Sequence, residues 1–191
     1  MRIRKKTEIR TPRLVLHAYR AEDRDALVRL FTDPEVTNTF MVPDYPEKQQ
    51  FYELADKLIA FSQPDDEKHL EYGIFLDGKP IGFVNDCGYD EREIEIGYVI
   101  DPACKGRGYA TEAVRALLPT LWELGFEKVS AGYFEGNEGS RRVMEKCGMH
   151  ATGEWDEEEY RGVTHKCYTC EILRPETEEP QNVGAAGSDP S

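Results

Sequence analysis

Apolar residues recur along this chain at two spacings, every second position or every third and fourth, and the switches between them mark its elements. Over Arg13–Tyr19, Leu14, Leu16 and Ala18 alternate with Val15 and His17, the period of a strand. From Glu22 to Thr32, Leu27, Leu30 and Phe31 form a helical stripe. It stops before Asp33-Pro34, since a residue preceding proline is pushed out of helical geometry. A loop to Asp44 carries Thr39-Phe40-Met41-Val42, which either line a pocket or simply pack. Pro46 opens a second helix with Phe51, Leu54, Ala55 and Leu58 on one face, and Pro64 ends it.

Strands follow. Glu71–Leu76 and Ile81–Asn85 flank Asp77-Gly78-Lys79-Pro80, a hairpin signal, and Glu93–Ile100 is a further strand. A long helix then buries Ala110, Ala113, Val114, Leu117, Leu118 and Leu121 on one side, and Pro119 predicts a kink or a helix that restarts at Leu121. Lys128–Phe134 reads as a strand, and Asn137–Cys147 as a short helix closed by Gly148. Met149–Trp155 and Lys166–Leu173 are two last strands around an acidic turn. From Pro175 the composition shifts to Glu, Pro, Gly, Ala and Ser without periodicity. The expected organisation is one folded domain over 1–174 and a disordered acidic tail over 175–191.

The junction between the Glu93–Ile100 strand and the long helix holds the densest chemistry. The strand stops at Asp101-Pro102, and the loop that follows contains Lys105-Gly106-Arg107-Gly108 before the helix begins. A helix N-terminus offers unpaired N–H groups and the positive end of its dipole, which suits a phosphate or diphosphate. Gly106 and Gly108 let the backbone turn tightly beside an anion, and Lys105 and Arg107 add positive charge. The spacing fits neither a Walker loop nor a dinucleotide fingerprint, which needs a third glycine near Thr111 or Glu112. A glycine-rich connection with no ligand is the competing reading.

Charge narrows the partners. Thirty-seven acidic residues against 24 basic ones give a net charge of −13. Acid concentrates at Asp90-Glu91 with Glu93 and Glu95, and at Glu154 with Asp156 to Glu159. Such a surface argues against nucleic acid and suits a cationic amine or basic peptide, though solubility alone also accounts for it. At 39% hydrophobic residues the chain has no run long enough for a membrane span, and no apolar stretch follows its basic start, so a cytoplasmic location is expected. Five cysteines form no disulfide framework and read as reduced thiols. Cys167 and Cys170 face opposite sides of a strand, the four histidines have no ligand spacing, and no metal is expected.

Four stretches together resemble the GCN5-related N-acetyltransferases (GNAT), in the branch that includes bacterial acetyltransferases of ribosomal-protein N-termini. They are Thr11-Pro-Arg-Leu-Val-Leu16, Asp33-Pro-Glu-Val36, Glu95–Ile100 with Lys105–Ala113, and Asn137-Glu-Gly-Ser140 with Lys146 and Gly148-Met149. The resemblance spans Thr11 to about Arg174. It implies an α/β (α+β) fold: a mixed, mostly antiparallel sheet of six to seven strands flanked by four helices. It also implies acetyl-CoA as co-substrate. Backbone groups at Tyr98, Val99 and Ile100 would pair with the pantetheine arm, and the amides of Lys105, Gly106, Arg107, Gly108, Tyr109 and Ala110 would hold the diphosphate. Asn137 would contact the pantetheine. Two departures matter: the Gln or Arg common before the first motif glycine is Ala103, and the frequent tyrosine acid falls at Met144, which has no proton to donate.

Transfer to an amine requires a base, an oxyanion donor and a stabiliser for the departing thiolate. Glu95 is the first candidate base, acting through a water, with Glu93 on the same strand face and the Glu154–Glu159 run as alternatives. A backbone N–H near Tyr98 would serve the oxyanion. Ser140 is the candidate for the thiolate, although it and Asn137 also read as ordinary helix-start residues. Arg141 and Arg142 either reach the CoA phosphates or are surface charges, and the second reading is preferred. The expectation is an N-acetyltransferase acting on a primary amine, monomeric or homodimeric. A non-catalytic acyl-CoA-binding module is the alternative.

Overall fold

The computed structural model describes residues 2–176. Eight strands form one sheet: β1 (Glu8–Arg10), β2 (Leu14–His17), β3 (Glu71–Leu76), β4 (Lys79–Tyr89), β5 (Glu93–Ile100), β6 (Lys128–Phe134), β7 (His150–Tyr160) and β8 (Val163–Leu173). Their order is β1-β2-β3-β4-β5-β6-β8-β7. The helices are α1 (Arg24–Thr32), α2 (Pro34–Thr37), α3 (Lys48–Ser62), α4 (Tyr109–Leu124) and α5 (Glu138–Lys146). All neighbouring strands pair antiparallel except β5 and β6. The mixed, mostly antiparallel architecture is as expected, with one more strand and one more helix.

The two additions are short. β1 exposes Glu8 and Arg10 and buries only Ile9, so it has too few alternations to register as a strand. α2 is a single turn. Asp33, which stops α1, accepts a hydrogen bond from the Glu35 amide (2.8 Å) and so caps the next turn at once. α4 runs unbroken through Pro119, so no restart at Leu121 occurs. Leu117 and Leu121 are fully buried on its inner face. Each contributes about 1.5–3 kcal/mol, enough in sum to outweigh one lost backbone bond.

Both long hairpins turn through two residues at positive φ, Asp77-Gly78 and Arg161-Gly162. That geometry matches strand twist, so pairing runs right up to the turn. Lys79 and Pro80 therefore belong to β4 rather than to the connection. The acidic run Glu154–Glu159 lies within β7, paired along β8, and is not a turn.

Helices cover both faces of the sheet. Ile94, Ile96 and Val129 pack with Ala113, Val114, Leu117 and Met144 beneath α4 and α5. Phe75, Phe83 and Val99 pack with Leu27, Phe31, Val36, Phe51 and Ala55 beneath α1, α2 and α3. The site follows from one topological event. β5 and β6 pair only over Glu93–Glu95 and Lys128–Ser130. Beyond that point β5 stays with β4 and β6 with β8, so the sheet forks and the β6-facing edge from Ile96 to Ile100 has no strand on it.

Candidate active site

A cleft of about 450 Å³ opens where the sheet forks. Tyr98, Val99 and Ile100 form one wall, and Asn137, Ser140, Arg142 and Lys146 the opposite one. Gly106 and Gly108 to Thr111 lie at one end, with Thr39 and Phe40 above. Phe40 reaches the strand because residue 97 is glycine: a Cβ there would lie 2.8 Å from the Phe40 ring and 2.9 Å from Asn85 Oδ1.

The loop before α4 has a defined shape. Asp101 accepts from the Ala103 amide (2.9 Å), closing a 3-10 turn over Pro102–Cys104, and pairs with Arg29 at 2.8 Å. The Lys105 amide donates to the Pro102 carbonyl (3.2 Å), so it is already satisfied and drops out of the expected anion-binding set. Among the described residues, the amides of Gly106 to Thr111 make no hydrogen bond within the protein. Gly106 and Gly108 sit at φ of +77° and +80°, which glycine adopts without strain. A run of free donors at a helix start, lining a cleft, is an anion receptor. The Lys105 side chain pairs with Glu35 at 3.4 Å, while Arg107 makes no ion pair among the described residues.

On the facing wall Asn137 caps α5. Its Oδ1 accepts from the Ser140 amide (3.2 Å), and its Nδ2 donates to Ser140 Oγ (3.1 Å). The Ser140 hydroxyl thus accepts one bond, and its own proton has no partner among the described residues. The Tyr98 phenol donates to the Ser140 carbonyl (3.1 Å) and ties the two walls together, its pKa raised by burial. That side chain escaped the sequence reading, which used only the Tyr98 backbone. Arg141 pairs with Glu138 and Glu145 on the surface as expected, both at 2.6 Å. Arg142 does not: it lines the cleft with no ion-pair partner among the described residues. Met144 is buried in the core below α5 and does not reach the cleft.

Glu95 occupies the last paired position before the fork, opposite Ser130, and lies outside the cleft's lining. Its carboxyl lies beside Gly132, where a Cβ would stand in ordinary contact with Glu95 Oε1 at 3.5 Å. Glu95 is accessible to solvent, yet enough protein surrounds its carboxyl for lost hydration, and secondarily Glu158, to raise its pKa. Glu93 differs, because Lys128 pairs with it at 2.6 Å. Glu158 comes from β7, whose tip is tied down where the Tyr160 hydroxyl meets the Val42 amide and carbonyl (3.2 and 3.1 Å). Among the described residues no His, Cys, Asp and Glu cluster suits a metal, and no helix is long and apolar enough to cross a membrane.

Residues 13–150 match the family model of the GNAT acetyltransferase domain. The chain belongs to the GNAT acetyltransferase family. YkkB of Bacillus subtilis, an uncharacterised protein, is 32% identical over 157 residues, covering 76% of this chain and 86% of YkkB. YjcK of the same organism, named as an N-acetyltransferase, is 37% identical over 97 residues. That match covers 48% of this chain and spans about half (52%) of YjcK. Among solved structures, the ribosomal L7/L12 α-N-protein acetyltransferase RimL in complex with coenzyme A shares the fold. Its TM-score is 0.73 at 17% identity, over 87% of this chain and 97% of that one. This GNAT domain has a forked sheet and a glycine loop, and Met144, where the resemblance in sequence would put a tyrosine acid, is buried.

Proposed function

We propose that the protein transfers the acetyl group of acetyl-CoA to a primary amine, at a protein N-terminus or on a small molecule. The observation that carries this reading is the run of free amides from Gly106 to Thr111 at the end of a cleft beside an unpaired strand edge. The amides of Gly106, Arg107, Gly108, Tyr109 and Ala110 receive the diphosphate, and the open edge at Tyr98–Ile100 receives the pantetheine as an added strand would. Arg142 adds a cation from the facing wall, and Asn137 holds the arm from α5. Acetyl-CoA brings the activated thioester. The protein orients it, excludes water with Phe40 and Tyr98, and supplies the proton transfers.

Glu95 is the base on this reading. Glu93 is held by Lys128, whereas Glu95 has no cationic partner among the described residues and a raised pKa, which suits a proton acceptor from an ammonium near neutral pH. The Ser140 hydroxyl, with its proton unengaged, hydrogen-bonds the leaving thiolate. Glu95 and Glu158 together favour a cationic acceptor. A cytoplasmic protein, monomeric or homodimeric, fits this chemistry.

The buried Met144 motivates one competing reading, a module that binds acyl-CoA without turnover. Mass-resolved detection of acetylated products from a pool of amines separates the two. The enzyme reading expects turnover that falls about 10²–10⁴-fold in Glu95→Gln with coenzyme affinity unchanged. Tight coenzyme binding with no product from any amine supports the module.

A further inference from the structure

Beside the glycine loop, the residues just before β2 clamp α4 through charge. Arg13 donates from Nε to Glu112 Oε2 (2.7 Å) and from Nη1 to the Arg107 carbonyl (3.0 Å). Its guanidinium lies over the Tyr109 ring, 4.5 Å from the centroid, with Nη2 at 3.6 Å from where a Gly108 Cβ would project. The Arg13 amide and the Thr11 hydroxyl both donate to Glu112 Oε1, at 3.0 and 2.6 Å. Burial alone would raise the Glu112 pKa; the hydrogen bonds from Thr11 and Arg13 outweigh it and lower the value, so the carboxylate is ionised.

A carboxylate in the first turn of a helix complements the dipole, but it occupies the same field that an incoming anion needs. Glu112 stands three residues beyond Tyr109 in the first turn of α4, next to the free amides. Left bare, it would repel a diphosphate across about one helical turn. We propose that Arg13 is a positioning residue of the glycine loop: it cancels the Glu112 charge and anchors the Arg107 carbonyl, keeping the Gly106–Ala110 amides turned toward an anion. This rests on the reading of the loop as the diphosphate site.

Calorimetric titration of the whole chain with coenzyme A and with pantetheine, which lacks the diphosphate, tests it. Wild type should prefer coenzyme A. Arg13→Ala should weaken coenzyme A at least about tenfold and leave pantetheine unchanged, as expected for loss of a close charge partner. Glu112→Gln should bind coenzyme A as tightly as wild type or tighter. The double variant should recover part of that loss and bind coenzyme A more tightly than Arg13→Ala, because the opposing charge is gone while the anchor on the Arg107 carbonyl is still missing. Arg13→Ala within about twofold of wild type, a double variant no better than Arg13→Ala, or equal losses for both ligands would overturn the proposal. If Arg13→Ala does not fold, Glu112→Gln decides: a coenzyme affinity lowered about fivefold would mean that Glu112 supports binding rather than opposing it. A wild-type protein that binds pantetheine as tightly as coenzyme A would instead refute the diphosphate reading of the loop.

Discussion

The two sides of the fork are made of different materials. On the proposed function, the cofactor side is built from main chain: free amides at the start of α4, the bare edge of β5, and glycines that clear space. The acceptor side is built from side chains on segments far apart in sequence, with Glu95 on β5, Glu158 on β7, and Tyr160 fastened to Val42. Main-chain recognition depends on local conformation, which a short run of residues specifies. Side-chain recognition depends on long-range pairing, and it can be rebuilt without disturbing the other half.

The largest expected break in this comparison comes from Gly108→Val. At φ +80° a β-branched side chain strains the loop by roughly 1–3 kcal/mol, so coenzyme affinity measured by calorimetry should fall at least about fivefold. The Glu95 environment should be untouched, so the apparent pKa of the base should stay where it was. A smaller change sharpens the other half. The Glu95 pKa is raised first by lost hydration and then by Glu158. The working form is deprotonated, so the rate climbs as pH rises through that raised pKa. Glu158→Gln removes one of the two causes, and the acid limb of the kcat/KM profile should move to lower pH while maximal turnover changes less than about twofold. A limb that stayed in place would detach Glu158 from the site.

The same division explains what could be read from the chain alone. The strand–loop–helix unit from Glu93 to Leu124 lay in one continuous pattern, and its glycines and helix start announced an anion site. The Lys105 amide was the exception, because a 3-10 turn capped by Asp101 uses it first, and that turn has no apolar period. The acidic run reads as a turn in the sequence for a related reason. β7 exposes most of its residues, so no alternation marks it, and Arg161 is not a residue that advertises a left-handed turn. In the sequence Arg142 and Arg141 are alike, with surface preferred to CoA phosphate for both. Adjacent helical positions differ by about 100° around the axis, and only the packing of α5 decides which one meets the cleft. The Arg13–Glu112 clamp joins residues 99 positions apart. The motif around Arg13 is legible in the sequence, while its partner is set only by the fold.

The central claim is that free main-chain amides at the start of α4 hold the coenzyme. Amide-resolved NMR during a titration with coenzyme A tests it most directly. The account predicts that the Gly106, Arg107, Gly108, Tyr109 and Ala110 resonances move furthest, with Lys105, whose amide is already bonded, moving less. Saturation with coenzyme that left Gly106 to Ala110 in place while other amides shifted would contradict it.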